Sequence, residues 1–146
     1  MYLRIIDGQP KPYAVGYLKI ENPNTSFPAQ MSDEFLAGWD VYRYVIDDQP
    51  EHDPLVQEVW KGAFYQDEDG KWRQGWDVKP KPESTAKRDV RLERDRLLAE
   101  TDWRVVKAYE RNENLEAKWE SYRQALRDIP EQTGFPYEVE WPTKPR

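Results

Sequence analysis

The sequence predicts an α+β fold: a small antiparallel β-rich N-terminal half with one short helix, then a C-terminal helical hairpin and an extended tail rich in proline and aromatic residues. Nearly all glycines and most prolines lie in residues 1–82, where apolar residues form short runs typical of strands. Residues 83–146 begin with a long charged stretch that lacks both glycine and proline, which favours helix. Seven tryptophans and nine tyrosines can supply most of the core. The proline-bearing segment Lys79–Ser84 is the expected boundary between two domains with these ranges.

The N-terminal half contains several short elements. Tyr2–Ile6 and Tyr13–Ile20 are predicted strands, joined by the turn-rich segment DGQPKP. Ser32 is a natural N-cap for a short helix, and Gly38 can end that helix. Val41–Ile46 is rich in β-branched and aromatic residues, so we expect another strand there.

The segment VWKGAFYQDEDGKWRQGWDV predicts a β-hairpin, because Asp69 and Gly70 tolerate the positive φ angles that a tight turn needs. Loops of two or of four residues both place Tyr65 on the same face as Trp72 and Trp76. A lone hairpin is only marginally stable, so this aromatic face should lie against the other strands of the half. The predicted apolar face consists of Val59, Ala63, Tyr65, Trp72, Trp76 and Val78.

The C-terminal half predicts a helix that Ser84 caps and that runs to about Glu100. Thr101 and Asp102 precede a new group of apolar residues, so we expect a second cap and a change of direction there. Asn112 and its neighbour Asn114 should break the segment that follows.

The last predicted helix has a single apolar seam, because its large apolar residues recur at spacings of four and three. Pro130 should end this helix, and Arg123 is expected to lie off the seam. We expect the seam to pack against the preceding helical segment as a hairpin. The predicted core of that hairpin is Leu98, Trp103, Val106, Leu115, Trp119, Tyr122 and Leu126, with Ile129 at the end of the seam.

The tail that follows should be extended, because three further prolines interrupt it. Gly134 permits a reversal of the chain, so Phe135 should anchor the tail on the helices. Trp141 lies six residues further on, and an extended chain would carry it some 20 Å, beyond a two-helix unit. We therefore expect Trp141 to meet the N-terminal half or a partner, and favour the partner. The candidate partner-binding residues are Phe135, Pro136, Tyr137, Trp141 and Pro142.

Composition and motifs argue against several functional classes. The net charge of −6 disfavours nucleic acid, and no apolar run approaches the roughly 20 residues that span a bilayer. The chain has no cysteine and one histidine, and His52 lies in a loop with several carboxylates that we expect to be solvated. No nucleotide-binding or hydrolase motif is present, and DEDG fits a hairpin turn better than a calcium loop. We expect no catalytic residue, no metal and no cofactor.

Four pieces of the C-terminal half carry a resemblance to a known family. They are RDRLLAETDW, W-x-x-YRQALRDIP, GFP and WPTKP, which begin at Arg94, Trp119, Gly134 and Trp141 in that order. Together they resemble the phage tail assembly chaperone domain over roughly the last third of the chain. The N-terminal half, with NTSFPAQMSDEFLAGWDVYRYVID and a G-x-W-x-Q-x-W hairpin, is similar to the N-terminal region of many phage tail proteins.

The resemblance implies a non-enzymatic protein that binds a tail-fibre or other tail protein while the phage tail is built. It implies action in the host cytoplasm during assembly, or retention in the virion tail. The protein could be a homo-oligomer or could act on a trimeric fibre. Two alternatives stay open: a structural virion component that acts as an adaptor, and a host-surface glycan-binding module in which tryptophans stack on sugar rings.

Overall fold

The computed structural model describes residues 1–146 and contains two compact units. The first, unit 1, consists of Met1–Pro50 and Val59–Asp77, and the second, unit 2, consists of Glu51–Glu58 and Val78–Arg146. The ranges interleave, because Glu51–Glu58 belongs to unit 2 although it precedes part of unit 1. The division into domains at residues 82 and 83 stays a prediction.

The predicted α+β class is confirmed. The strands form one five-stranded sheet in the order β2-β1-β3-β5-β4, and the long helices follow the sheet in sequence. β1 pairs antiparallel with β2 and β3, whereas β3 pairs parallel with β5. The elements are β1 Tyr2–Ile6, β2 Gln9–Tyr13, α1 Tyr17–Glu21, α2 Asp33–Ala37, β3 Val41–Ile46, β4 Gln57–Gln66, β5 Trp72–Pro80, α3 Glu83–Glu110, α4 Ala117–Arg127 and a 3₁₀ turn, Ile129–Glu131.

The second predicted strand, Tyr13–Ile20, is wrong. Asp7 and Gly8 both have positive φ, 53° and 75°, and this two-residue turn pairs Ile6 with Gln9. Such a turn matches the twist of the flanking strands, so the chain reverses at once and β2 ends at Tyr13. The prolines of β2 are tolerated because it is an edge strand.

The core of unit 1 consists of Leu18, Leu36 and Val41, which are almost fully buried. α2 confirms the predicted start, since the Ser32 hydroxyl accepts a hydrogen bond of 3.1 Å from the Phe35 backbone N–H. The helix therefore brings Leu36 into the core. The aromatic and other apolar side chains packed around this core are Tyr2, Tyr13, Val15, Phe27, Met31 and Trp39.

The predicted aromatic face of the β4–β5 hairpin is wrong because the loop has three residues, not two or four. The Asp67 N–H donates to the Lys71 carbonyl at 3.0 Å, and the Gly70 N–H donates to the Asp67 carbonyl at 2.9 Å. An odd loop changes which residues share a face. Trp72 stays with Trp76, and its ring centroid lies 6.2 Å from that of Tyr42 of β3. Tyr65, Val59 and Ala63 lie on the opposite face from these tryptophans.

On that opposite face Asp47 binds two side chains. The Tyr65 hydroxyl donates to Asp47 Oδ2 at 2.7 Å, and Arg73 Nε donates to Asp47 Oδ1 at 2.6 Å. The Trp76 indole N–H also donates to the Asp47 carbonyl at 2.7 Å. The Tyr65 hydrogen bond, followed by that from Arg73, lowers the pKa of the Asp47 carboxyl. This residue thus links the end of β3 to both strands of the hairpin.

α3 is one unbroken helix of 28 residues, so the predicted cap and change of direction at Thr101 are wrong. The predicted cap at Ser84 is also wrong, because Pro82 precedes the first helical residue and its carbonyl accepts the first helical hydrogen bonds. The Thr101 hydroxyl donates to the Leu98 carbonyl within the helix at 2.9 Å and accepts a hydrogen bond of 2.6 Å from Arg123. α3 ends where predicted, since Asn112 has a φ of 55°.

The apolar seam of the last helix is confirmed as a packing surface. Trp119, Tyr122, Leu126 and Ile129 are buried with Val56, Ala86 and Val90, and Leu97, Leu98 and Leu115 pack against them. Trp103 and Val106 were predicted in this core, but each is 54% exposed. Along the continuous helix both side chains lie largely in solvent.

The prediction that Arg123 lies off the seam is also wrong. It follows Trp119 by four residues and is 7% exposed. Its guanidinium donates to the Leu98 carbonyl at 2.9 Å and to Asp102 Oδ1 at 2.8 Å, besides the bond to Thr101. All of its bonds across the helix pair reach residues 98–102 of α3.

We predict that the stability of unit 1 depends on the ionised Asp47 carboxyl. A group with a lowered pKa contributes stability that is complete above its unfolded pKa and is lost as the pH falls through the folded value. The free-energy difference between wild type and Asp47→Asn should therefore shrink as the pH falls below about 4. Urea unfolding at several pH values measures this. A difference that stays constant down to strong acid would contradict the assignment.

We predict that Trp119→Ala lowers the free energy of unfolding by about 3–5 kcal/mol, because the indole is 3% exposed in a packed core. Trp103→Ala is the matched control and should cost about 1 kcal/mol or less, because that ring is largely in solvent. Thermal and urea unfolding of both variants give the comparison. Equal losses would show that the exposed and buried faces of the helix pair are assigned wrongly.

Candidate interaction site in the C-terminal unit

The tail begins with a reversal of the chain after Pro130. The Glu138 N–H donates to the Gly134 carbonyl at 2.7 Å, which closes the turn. A Cβ at Gly134 would lie 2.4 Å from the Glu138 carbonyl oxygen, so any side chain at residue 134 would force the turn open. The chain therefore reverses at Gly134 as predicted, because only glycine lets the backbone of Glu138 come this close. The Phe135–Pro136 peptide bond in this turn is cis.

Two side-chain contacts hold the backbone of the tail. Gln132 binds Glu140 twice: Oε1 accepts from the backbone N–H at 2.8 Å and Nε2 donates to the carbonyl at 3.0 Å. The Tyr137 hydroxyl donates to the Lys81 carbonyl at 2.7 Å, just before α3 begins. The Gln132 side-chain amide thus pairs with both backbone groups of Glu140, as the backbone of a neighbouring strand would do in a sheet.

Apolar side chains of the tail pack against the core of unit 2. Phe135, Val139 and Trp141 contact the buried cluster, and Pro136 is itself buried. Phe135 anchors the tail on the helices as predicted, and the Arg91 guanidinium carbon lies 5.3 Å from the centroid of its ring. The expectation that Trp141 lies beyond the helices is wrong, because the turn at Gly134 brings the chain back toward α3.

Charged contacts hold the last residues. Lys144 Nζ lies 2.9 Å from Glu100 Oε2 of α3. Lys118 Nζ of α4 donates to the Arg146 carbonyl at 3.1 Å. The tail therefore contacts both helices of the pair, and the Lys144 contact is the main cause of the lowered pKa of Glu100.

A cleft of about 600 Å³ lies between the tail and the segment that precedes β4. Three carboxylate residues line it, Asp53 from the preceding segment and Glu138 and Glu140 from the tail. Its other walls are mostly apolar or uncharged. The lining residues are Asp53, Leu55, Val56, Val90, Gln132, Thr133, Gly134, Pro136, Tyr137, Glu138, Val139, Glu140 and Trp141.

The segment before β4 has a defined shape at this cleft. Asp53 Oδ1 accepts from the Leu55 N–H at 2.9 Å, and the Asp53 N–H donates to Gln57 Oε1 at 2.8 Å. The Val56 carbonyl accepts from the Lys81 N–H at 2.8 Å, which fixes this wall beside the start of α3. The cleft therefore combines apolar side chains, Leu55, Val56 and Val90, with carboxylates in one concave surface.

The candidate partner-binding residues differ in burial. Phe135, Pro136 and Trp141 pack within unit 2, and Pro136 and Trp141 also line the cleft, where the Tyr137 side chain is 41% exposed. Pro142 is half-buried beside Trp141. Their role in binding a partner stays a prediction.

Sequence reasoning missed the other wall of the cleft and the Gln132 clamp. We expect a solvated acidic loop around His52, and the sequence does not predict that Val56, two residues beyond this loop, is buried in the core. The prolines of this segment do not indicate that Val56 is buried. An isolated glutamine such as Gln132 likewise does not indicate that its side chain bonds to the backbone of Glu140, eight residues away.

The structure brings together no group of three or more histidine and carboxylate side chains that could hold a metal ion. It also contains no helix of the length and apolar character needed to cross a membrane.

Part of the chain matches a known protein family. The family model described as phage tail assembly chaperone protein matches residues 87–146, which include most of α3, all of α4 and the whole tail. This match supports a role in phage tail assembly. Comparison with curated proteins and with solved structures gives no significant match.

We predict that Trp141→Ala lowers the free energy of unfolding by about 2–3 kcal/mol, because the ring is partly buried against the core. Tyr109→Ala is the control for an aromatic residue in solvent, since that side chain is 87% exposed, and it should cost less than about 0.5 kcal/mol. Urea unfolding followed by circular dichroism measures both. If Trp141→Ala left stability unchanged, the tail would not be part of this core.

Proposed function

We propose that the protein is a non-enzymatic phage assembly factor that binds a tail-fibre or other tail protein in the host cytoplasm while the tail is built. The observation that carries this proposal is the family match over residues 87–146. The matched residues form the helix pair and the tail, and the cleft beside the tail is the concave surface of this region.

The physical need for such a factor follows from how fibres assemble. Unassembled fibre chains expose apolar surface and unpaired strand edges, which invite aggregation. A binding protein that covers such a segment delays aggregation until the correct partner is present. An excess of negative charge, −6 for this chain, keeps such a complex dispersed.

The cleft supports binding of an extended segment. Leu55, Val56 and Val90 supply apolar contacts, and Asp53, Glu138 and Glu140 supply acceptors for backbone N–H groups or basic side chains. The tail that forms one wall is held by Gln132 and Tyr137, so little ordering of this wall is needed when a segment binds.

We expect the purified protein to capture a tail-fibre or other tail protein from infected cells, identified by mass spectrometry. Glu138→Lys combined with Glu140→Lys should abolish this capture, because the charge of the cleft is reversed. The control, Glu34→Lys combined with Glu68→Lys, changes the same number of charges on unit 1 and should leave capture unchanged. Wild-type protein that captures no tail protein would overturn the proposed function. Capture that survives reversal in the cleft would place the binding surface elsewhere.

A further inference from the structure

A second surface of unit 2 has a different chemistry. Arg104 and Lys107 of α3 and its C-cap residue, Arg111, follow one another at spacings of three and four, so they lie on one face at the end of the helix. Beside them lies a small cleft of about 110 Å³ between the end of α3 and the start of α4. We call these three residues and Trp103 the basic patch.

The cations of the basic patch are not neutralised within the chain. None of the three forms an ion pair with a carboxylate, although acidic residues outnumber basic ones in this protein. Of the five other cations of α3, Arg91 lies over the Phe135 ring and four are paired with carboxylates: Lys87 with Glu83, Arg88 with Asp89, Arg94 with Asp95, and Arg96 with Glu93 and Glu100. Intrahelical pairing is thus the rule in the first part of the helix and is absent at the basic patch.

Aromatic rings hold the patch in a defined arrangement. The Arg104 guanidinium carbon lies 3.8 Å from the ring centroid of Trp119 and 4.5 Å from that of Trp103. Lys107 Nζ lies 5.9 Å from the Trp103 ring, which is 54% exposed. Arg104 is therefore placed between a buried and an exposed indole, and the exposed ring offers an apolar surface directly beside two cations.

The other wall of the small cleft is close to neutral. It contains Asn114 and Leu115 together with Glu113 and Glu116, and Glu116 Oε2 lies 3.1 Å from Lys118 Nζ. The three cations of the patch therefore outweigh the one carboxylate there that has no cation partner, Glu113.

We propose that the basic patch binds an acidic segment of a partner protein. Carboxylates of the segment pair with Lys107 and Arg111, and an apolar or aromatic side chain of the segment packs on Trp103. The identity of the partner as a phage tail protein rests on the proposed function, whereas the chemistry of the segment rests on the patch alone. A protein segment suits this site better than nucleic acid, because three cations on an acidic chain neutralise few phosphates.

The test uses the full chain and a fluorescein-labelled peptide of about ten residues, rich in glutamate and phenylalanine. Fluorescence anisotropy should show binding that weakens as salt rises from about 50 to 200 mM. Lys107→Glu combined with Arg111→Glu should weaken binding by at least about tenfold, and Trp103→Ala by a smaller factor. The control, Lys11→Glu combined with Lys19→Glu, makes the same change in net charge on unit 1 and should bind as wild type does. Circular dichroism confirms that each variant is folded.

Three results would overturn the proposal. They are equal binding of the same peptide with lysine in place of glutamate, wild-type affinity in the double charge reversal, and tighter binding of duplex DNA than of the acidic peptide. Capture from infected cells separates this proposal from the proposed function. If wild type and the double variant both capture the same tail protein, the proposed function stands and the patch has no part in it. If neither captures a tail protein, the proposed function fails, while the peptide result still decides the chemistry of the patch.

Discussion

The buried guanidinium of Arg123 is the contact on which the C-terminal unit depends. A buried cation is costly unless its N–H groups are bonded, and Arg123 bonds to Leu98, Thr101 and Asp102 of α3. These partners occupy one turn of a 28-residue helix whose own apolar stripe is sparse. The guanidinium therefore determines which turn of α3 packs against α4. The apolar seam of α4 alone would specify this pairing only weakly, because apolar contacts have little directional preference.

The way in which α4 is aligned along α3 positions both candidate surfaces, the basic patch and the cleft beside the tail. Trp119 precedes Arg123 by one helical turn, so it meets Arg104 and completes one side of the basic patch. Leu126 near the end of α4 and Ile129 in the 3₁₀ turn belong to the core that Phe135, Val139 and Trp141 of the tail cover. One surface carries cations without a carboxylate partner and the other is lined by carboxylates, so the two surfaces differ in charge.

The sequence predicts elements well where one local rule decides the outcome. The seam of α4 follows from 3.6-residue periodicity, and the cap at Ser32 follows from one hydroxyl and one N–H. It predicts poorly where two local rules compete. Thr101 and Asp102 suit a helix start, yet their side chains bond inside α3 and to Arg123, which only the fold brings near.

At the β4–β5 hairpin, a loop that is one residue longer or shorter places Tyr65 on the other face of the sheet, and the sequence alone does not determine the loop length. For Trp141, the length of an extended chain from Phe135 gives only an upper limit on the distance between Trp141 and the helices. The turn at Gly134 and the bonds of Gln132 to Glu140 keep the actual distance much shorter.

Val56 packs in the same core as Trp141, although 85 positions separate them along the chain. On the ribosome this means that Glu51–Glu58 emerges long before the helices and the tail that bury it. The carbonyl of Val56 meets Lys81 first, the seam of α4 arrives later, and Trp141 closes the cluster last. Contacts of such sequence separation slow folding, so this core is complete only after Trp141 has been synthesised. Until then the part of this core that the tail covers stays exposed in the nascent chain.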